Sequence, residues 1–192
     1  MRKYDFLLPF VVVAFGLVLV QDAQIRSSLH DHPPSIEPVM AAATSAGNFF
    51  VLLSLTILLW AGGVILNGTR LRDAGLWGAV ALLISKVVAE LIKHLVGRGR
   101  PFLTGGSPYA FLGPTFSNGY DSFPSAHAIT SFALAFALGE FYPKGRSIYY
   151  LFALLVSYSR IYLDAHFASD VFAGSVLGIW IGFLLTRRWV RT

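Results

Sequence analysis

The run FFVLLSLTILLWAGGVIL, from Phe49 to Leu66, contains eighteen consecutive residues without a charged side chain. A helix that crosses a bilayer needs about 20 mostly apolar residues. The run does not alternate apolar with polar residues, and it is too long for a strand of a membrane barrel. Because backbone amides in lipid must be satisfied within one segment, the run predicts a membrane-spanning α-helix.

Five further apolar runs follow the same pattern. Together the six runs predict an all-α, polytopic integral membrane protein, built as a six-transmembrane-helix bundle. The first run follows Arg2 and Lys3, as in a signal peptide, but no small-residue cleavage site follows at Gln21 and Asp22. The five runs are Phe6 to Val20, Ala74 to Ile92, Ala128 to Tyr142, Ser147 to Tyr162 and Ala168 to Leu185.

The composition excludes most other classes of protein. Of the 192 residues, 55% are hydrophobic and only 13% are charged, whereas a soluble domain is about 25% charged. The mean hydropathy is +0.63. The absence of cysteine from the sequence excludes a disulfide scaffold, a thiolate metal site and a cysteine nucleophile. We therefore expect a single transmembrane domain over residues 1–192, with the bilayer as its solvent.

The fifteen cationic residues indicate how the bundle is oriented. Short cytoplasmic loops collect Lys and Arg, and with the amino terminus inside, nine of the fifteen fall in inner segments. The outer segments hold only Arg26, Arg98 and Arg100. The sequence therefore predicts that both termini are cytoplasmic. No basic stripe is interleaved with aromatic residues on a soluble face, so we expect no nucleic-acid partner.

Two predicted connections are longer than simple turns. Residues 21–48 include His30 and His32, which could bind a metal, although two imidazoles without a third ligand are more typical of a solvated loop. Residues 97–123 are rich in Gly, Pro and aromatic residues. Such a loop suits the headgroup level of a membrane, and it could equally cover a substrate. We expect neither a metal site nor a cofactor.

Charged and polar side chains gather at the predicted helix ends. Lys93 ends the third span, His127 opens the fourth, Arg160 ends the fifth, and His166 with Asp170 opens the sixth. Because ends and starts alternate along the chain, all of these residues belong to one membrane face, and the distribution of cations makes it the outer face. Ionisable groups are costly in a membrane helix, so their grouping predicts a functional site.

The spacing of these residues favours an anion site with a nucleophile. Lys93 and Arg100 are seven residues apart and can point to one place, while Ser125 can cap a helix whose free first-turn amides suit an anion. His166 and Asp170 are an i,i+4 pair. We expect the carboxylate to accept one imidazole N–H, which leaves the other ring nitrogen with its lone pair and makes His166 a candidate nucleophile.

Together these residues resemble the three signature motifs of the type 2 phosphatidic acid phosphatase family, K-x6-R-P, P-S-G-H and S-R-x5-H-x3-D. This family also includes vanadium haloperoxidases and glucose-6-phosphatase. Each motif is weak alone, but their order, spacing and shared membrane face make a strong signal. The single departure is Ala126, which adds a methyl group where the family usually has Gly. The residues that match are Lys93, Arg100-Pro101, Pro124-Ser125, His127, Ser159-Arg160, His166 and Asp170.

The resemblance implies a mechanism without a metal. In this family one histidine attacks phosphorus to form a phosphohistidine, another protonates the departing oxygen, and water then releases inorganic phosphate. By this resemblance His166 is the nucleophile, Asp170 orients it, and His127 is general acid and later base. The residues implied in phosphate binding are Lys93, Arg100, Arg160, Ser125 and the backbone at Ala126.

Each site residue also has a purely structural interpretation. The cations could bind lipid phosphates at the interface, Asp170 could only neutralise Arg160, and His127 could only bond a loop carbonyl. Any one of these interpretations is reasonable when its residue is considered alone. To explain the whole pattern, a purely structural interpretation would have to hold at four positions at once. This favours the enzymatic interpretation.

Four other charged residues lie near the predicted site. Lys86 and Glu90 are an i,i+4 pair, which favours a structural ion pair, with positioning of Lys93 as the alternative. Asp164 is expected to be solvated. Arg98 could touch a substrate headgroup but lies outside the motifs, so neither Asp164 nor Arg98 is predicted to be catalytic.

The position of the site at the outer ends of membrane helices predicts a lipid phosphate or pyrophosphate as substrate. The family includes phosphatases for phosphatidic acid, phosphatidylglycerophosphate, undecaprenyl pyrophosphate and lipid A 1-phosphate. The compact length resembles a bacterial member, which places the site on the periplasmic or extracellular side of the plasma membrane. Two alternatives are a lipid-to-lipid phosphotransferase that uses the same histidine and a non-catalytic transporter or lipid-binding bundle. Residue types alone choose neither the lipid nor an oligomeric state.

Overall fold

The computed structural model of the chain describes residues 7–30 and 34–186, and these residues form helices joined by loops. No strand is assigned within these ranges, which confirms the all-α prediction. Short 3-10 turns at Pro34–Ile36 and Pro143–Gly145 precede two of the helices. The helices are α1 (Leu7–His30), α2 (Glu37–Ala46), α3 (Phe49–Ile65), α4 (Thr69–Val96), α5 (Ala126–Phe141), α6 (Arg146–Tyr162) and α7 (Ala168–Thr186).

Three of the described helices, α1, α4 and α7, are long and apolar enough to cross a membrane. Helices α2 and α3 meet the same criterion together, with a bend of 50° between them, which makes up to four spans. Helix α5 is apolar but has only 16 residues, about 24 Å at 1.5 Å per residue. The chain is thus an integral membrane protein, and its helix lengths support up to four of the six predicted spans.

The first two predicted segments differ from the observed helices. The run predicted to stop at Val20 continues as α1 to His30, and the connection predicted over residues 21–48 is largely helical because α2 occupies its second half. Asp22 is buried and bonds Arg98 of the loop after α4 and Ser169 of α7, so α1 belongs to the folded bundle. His32, half of the possible metal pair, lies outside the described residues.

Helix α5 is at the centre of the bundle, since eleven of its sixteen residues are buried. Helices α4, α6 and α7 all pack against it. Its sequence is rich in Ala, which allows neighbouring helices to approach closely. The residues at its amino-terminal end are therefore surrounded by the ends of three other helices.

Three glycines one turn apart bring the backbone of α7 into contact with that of α5. A Cβ atom at Gly178 would lie 2.3 Å from the carbonyl oxygen of Ile129, and Gly174 and Gly182 are similarly close to α5. Small residues at such intervals are typical of tightly packed membrane helices. The contact places the amino-terminal ends of α5 and α7 side by side, where the Ser125 amide donates to the Asp170 carbonyl at 3.1 Å.

The loop after α4 folds back over the helix ends. Gly97 ends α4 with φ 58°, a left-handed conformation that favours glycine. The loop is tied together by backbone hydrogen bonds, among them Leu112 N to Gly97 O at 2.9 Å and Arg100 N to Gly119 O at 2.8 Å. These bonds fix the path of the loop, and the Arg98 side chain within it bonds Asp170 at the start of α7.

We predict that Gly178→Ala destabilises the bundle by about 1–3 kcal/mol, the usual penalty for an overpacked contact. The new methyl group would overlap the Ile129 carbonyl, so α7 must shift away from α5. The measurement is the thermal unfolding midpoint in detergent. Gly16→Ala in α1 is the matched control, because no atom lies within 4 Å of its added Cβ. Equal midpoints for the two variants would contradict the proposed role of the contact.

Candidate active site

His166 lies in the loop between α6 and α7 and is only 3% exposed. Its Nδ1 is 2.8 Å from the carbonyl oxygen of Ser122. Because a carbonyl can only accept, Nδ1 carries the proton in the neutral ring and Nε2 keeps its lone pair. The ring is therefore prepared to attack an electrophile through Nε2.

Asp170 does not accept the imidazole N–H directly, in contrast to the sequence-based expectation. The distance from His166 Nδ1 to Asp170 Oδ2 is 3.8 Å, longer than a hydrogen bond. Asp170 Oδ2 instead accepts the Ser122 hydroxyl at 2.6 Å and the Phe167 amide at 2.9 Å. The Ser122 carbonyl occupies the place predicted for the carboxylate, so Asp170 acts on the ring by its charge and through Ser122.

Burial lowers the pKa of His166 to about 4, and the nearby charges of Arg100 and Arg160 also lower it. Asp170 opposes this shift without cancelling it. The ring is consequently neutral at physiological pH. A neutral imidazole is the form that can act as a nucleophile.

Two of the predicted phosphate-binding cations share a carboxylate that the sequence analysis did not identify. Arg100 donates from Nε and Nη2 to the two oxygens of Asp121, both at 2.7 Å. Lys93, which is buried, has its Nζ 3.6 Å from Asp121 Oδ2 and 3.6 Å from Glu90 Oε1. Hydrogen bonds from Arg100 hold the pKa of Asp121 well below its usual range. The cations are thus balanced by an anion within the loop.

Arg160 is the predicted cation with unused hydrogen-bonding capacity. Its Nη1 donates to Thr44 Oγ1 of α2 at 3.3 Å. Its Nε is buried, and among the described residues it has no partner. Buried guanidinium N–H groups are normally paired, so the unpaired donor marks a place where the oxygen of an anion fits.

Ser125 occupies the predicted capping position of α5, but its hydroxyl does not cap the helix. The Ser125 Oγ is buried and finds no partner among the described residues, as for Arg160 Nε. The following residue, Ala126, begins α5, so its amide belongs to the first turn and has no partner within the helix. The start of α5 therefore offers a hydroxyl and free amides to an anion.

His127 lies in the first turn of α5, half-buried, within electrostatic range of Arg160, His166 and Lys93. It lines a cavity of about 130 Å³ together with Lys86. The predicted ion pair of Lys86 with Glu90 is confirmed at 2.8 Å. Because Glu90 also faces Lys93, the same carboxylate contributes to positioning a predicted phosphate ligand.

Two of the sequence-based expectations about neighbouring charges were wrong. Arg98 is only 1% exposed and binds Asp22 and Asp170, so it cannot touch a substrate headgroup. Asp164 is not simply solvated but accepts two hydrogen bonds from Arg26, both at 2.7 Å. In each case a residue from α1, invisible to motif spacing, supplies the partner.

The structure thus brings together all the residues that the motifs singled out, and it adds Ser122 and Asp121 from the loop, Thr44 from α2 and Asp22 from α1. The sequence contained an indication for Asp22, because an acidic residue next to an apolar run needs a partner. No sequence pattern indicates Ser122 or Asp121, since both lie in an irregular segment without periodicity.

The family model of the PAP2 superfamily matches residues 74–192, more than half of the chain. The chain belongs to the PAP2 superfamily. This confirms the resemblance carried by the three motifs. The match begins within α4 and includes every predicted site residue.

Similar proteins of this superfamily are named as phosphatases. The chain is 29% identical to undecaprenyl-diphosphatase from Sulfolobus acidocaldarius, over 96% of this chain and 91% of the relative. It is 30% identical to lipid A 1-phosphatase from Rhizobium etli, over 90% of this chain and 78% of the relative. The crystal structure of a PAP2 type phosphatidylglycerolphosphate phosphatase from Bacillus subtilis matches with a TM-score of 0.67 and 26% identity, covering 98% of this chain and 96% of that one. The chain is accordingly a membrane phosphatase of the PAP2 superfamily.

We predict that His166 stays neutral down to about pH 5 and titrates near pH 4. Its folded pKa is below the ordinary value of 6.5. The unfolded chain therefore takes up a proton between about pH 6.5 and pH 4 that the folded state does not, and the free energy of unfolding falls across this window. Above pH 6.5 this group has no effect on stability. Histidine ¹⁵N resonances, assigned with His166→Gln, measure the titration directly.

The unfolding midpoint of His166→Gln in detergent provides the control for this titration. The variant lacks the group, so its midpoint should fall less than that of the wild type between pH 6.5 and pH 4.5. A His166 resonance that titrates at pH 6 or above would contradict the argument from burial.

Proposed function

We propose that this PAP2 phosphatase hydrolyses a lipid phosphate or pyrophosphate through a phosphohistidine on His166. The observation that carries the proposal is a neutral, buried imidazole whose free Nε2 lies within the field of Arg100 and Arg160. The names of the similar proteins support a lipid substrate, since they are phosphatases of undecaprenyl diphosphate, lipid A and phosphatidylglycerophosphate. The residues that we propose to carry out the reaction are those of the three motifs.

In the first step Nε2 of His166 attacks phosphorus, a P–N bond forms, and the bond from phosphorus to the leaving oxygen breaks. His127 in its protonated form gives its proton to that oxygen, so the lipid departs as an alcohol or, from a pyrophosphate, as a monophosphate. Nδ1 of His166 keeps its proton, held by the Ser122 carbonyl. Asp170, 3.8 Å away, stabilises the positive charge that develops on the ring.

In the second step His127, now neutral, removes a proton from water. The water oxygen attacks phosphorus, the P–N bond breaks, and inorganic phosphate leaves with His166 restored. Phosphoryl transfer depends mainly on positioning and charge stabilisation. Lys93, Arg100 and Arg160 supply the charge, and the unpaired Arg160 Nε and Ser125 Oγ are two donors ready for phosphoryl oxygens. By analogy with oxyanion holes, each donor contributes about 2.7–4 kcal/mol to the transition state.

A groove beside the site supports a substrate with a hydrocarbon chain. The cavity at His127 and a larger one of about 410 Å³ are lined by consecutive residues of α3 and α5, Phe50 and Val51, and Thr130 and Ser131. The larger cavity is almost entirely apolar. We propose that the hydrocarbon chain of the substrate lies in this groove while its phosphate reaches His166. The residues that line the groove on α3 are Val51, Leu52 and Leu55.

The proposed topology is a single domain over residues 1–192 with six spans, of which helix length supports three, or four when the bent pair α2 and α3 counts as one span. The two remaining spans are α5 and α6, each supported by its packing within the same bundle. The excess of cations in alternate connections supports cytoplasmic termini. The site then opens on the periplasmic or extracellular side of a bacterial plasma membrane.

We predict that purified protein releases inorganic phosphate from at least one of phosphatidic acid, phosphatidylglycerophosphate, undecaprenyl pyrophosphate or lipid A 1-phosphate. His166→Ala should lower kcat by at least about 1,000-fold, because it removes the nucleophile. His94→Gln is the matched control, since His94 bonds the Thr115 carbonyl and lies outside the motifs. The measurement is phosphate release in detergent micelles, with folding checked by size-exclusion chromatography.

The same assay separates the alternatives. Phosphate released in equal amount to dephosphorylated lipid supports hydrolysis, whereas phosphate found on a second lipid would identify a phosphotransferase. Full activity of folded His166→Ala would overturn the proposal and favour an anion-binding role. Activity should persist in a chelator, because the cations and the helix end supply the charge that a metal would otherwise supply.

We predict that Val51→Trp raises the KM for a long-chain lipid phosphate by about 10-fold, equivalent to about 1.4 kcal/mol of lost binding. The larger side chain would fill the groove, so KM for a short-chain, water-soluble phosphate ester should change little. Leu58→Trp on the same helix is the matched control, because Leu58 is exposed and lies outside the groove. Equal effects on long and short substrates would contradict the placement of the chain in the groove.

A further inference from the structure

Helix α1 buries a carboxylate in the bundle. Among residues 9–29 of α1, only Asp22 is buried, at 1% exposure. The nearby apolar side chains of the helix, Val18, Leu19 and Ile25, are only half-buried. A helix held only by packing would bury apolar residues instead, since a buried charge is costly unless it is paired and hydrogen-bonded.

Every contact of Asp22 is made with residues that surround the site. Oδ2 accepts from Arg98 Nη2 at 2.8 Å and also from the hydroxyl of Ser169. Oδ1 accepts the amide of Ser169 at 2.9 Å. Ser169 is the second residue of α7, so Asp22 satisfies a free amide at the start of that helix. Asp22 thus caps α7 from another helix.

The guanidinium of Arg98 joins Asp22 to Asp170. Its Nη2 binds Asp22, and its Nη1 donates to Asp170 Oδ1 at 2.5 Å and to Ser169 Oγ at 2.7 Å. Nε and Nη2 also donate to the Pro108 carbonyl. The guanidinium lies 4.5 Å from the centre of the Phe167 ring. Arg98 therefore has a single possible orientation, set by two carboxylates from two helices.

Arg98 also holds the group that accepts the hydrogen bond from His166 Nδ1. The Arg98 carbonyl accepts the Ser122 amide at 3.0 Å, and Ser122 presents its own carbonyl to His166 at 2.8 Å. The Ser122 hydroxyl binds Asp170. Both groups that face Nδ1, the Ser122 carbonyl and the Asp170 carboxylate, are consequently fixed by Arg98.

We propose that Asp22 is a positioning residue for the nucleophile. Through Arg98 it fixes Asp170 and Ser122, and these set the orientation of His166. Without the Asp22 charge, Asp170 is the one carboxylate that still pairs with the Arg98 guanidinium, which is then free to draw Asp170 away from Ser122 and the ring. The proposal rests on the proposed function, and it extends the site beyond the three motifs to a helix outside the matched residues 74–192.

The first test compares Asp22→Asn with Arg26→Gln. Arg26 lies one turn from Asp22 on α1 and pairs with Asp164, so its loss loosens α1 without touching Arg98. Asp22→Asn should lower kcat by about 10- to 100-fold, the range seen when supporting residues of an active site are removed. KM and the inhibition constant for inorganic phosphate should stay within about twofold, because the phosphate-binding cations keep their places. Arg26→Gln should leave all three values within about twofold.

The second test asks whether Asp22 acts through Asp170. If it does, the double variant Asp22→Asn with Asp170→Asn has the same kcat as Asp170→Asn alone. If the losses of kcat in Asp22→Asn and Asp170→Asn multiply in the double variant, the proposal is overturned. A loss of kcat in Arg26→Gln equal to that in Asp22→Asn would also overturn it. Unchanged kcat in Asp22→Asn would overturn it too, while an inactive wild-type protein would overturn the proposed function itself.

Ser169→Ala covers the case in which Asp22→Asn does not fold. This variant keeps both carboxylates and removes only the hydroxyl that bonds Asp22 and Arg98. We expect a smaller loss of kcat, about threefold to tenfold, again with KM and the phosphate inhibition constant nearly unchanged. Wild-type kcat in folded Ser169→Ala would contradict the proposal.

Discussion

The contact between the backbones of α5 and α7 is the constraint on which the rest of the structure depends. Three glycines of α7 leave space for the α5 backbone at the contact, and Gly178 lies closest to it. Two helix starts that would otherwise be separated by side chains are thereby placed together. His127 follows one start and His166 precedes the other. The proposed acid and nucleophile thus meet because small residues lie in the middle of a membrane helix.

Two helix starts placed together concentrate free amides and charge in a partly buried space. The loop after α4 provides hydrogen-bond and ion-pair partners for these groups. Its residues supply Arg98, Arg100, Asp121 and the Ser122 carbonyl, each bonded within the site. In a low-dielectric environment such groups are stable only when nearly all are paired. The few that remain unpaired, above all Arg160 Nε, then indicate where a ligand completes the network.

The sequence predicted the all-helical architecture and the position of the motif residues at helix ends, because both follow strong periodic or spaced signals. Apolar runs identify membrane helices, and the spacing of Lys93, His127 and Arg160 places them at ends of successive helices. What it missed depends on tertiary contact. The competition between Ser122 and Asp170 for the imidazole N–H is decided by a loop of irregular backbone. The helices over residues 21–30 and 37–46 were missed because that stretch lacks a long apolar run.

The pairing of Asp121 with Arg100 and Lys93 has a thermodynamic consequence for ligand exchange. In the proposed mechanism, an arriving phosphate must displace the Asp121 carboxylate from the cations that this carboxylate already neutralises, so the measured affinity for any phosphate is a difference between two ionic states. The same carboxylate is available to reclaim the cations once phosphate departs. An internal counter-ion therefore weakens retention of the product, and a strongly cationic pocket can still turn over repeatedly.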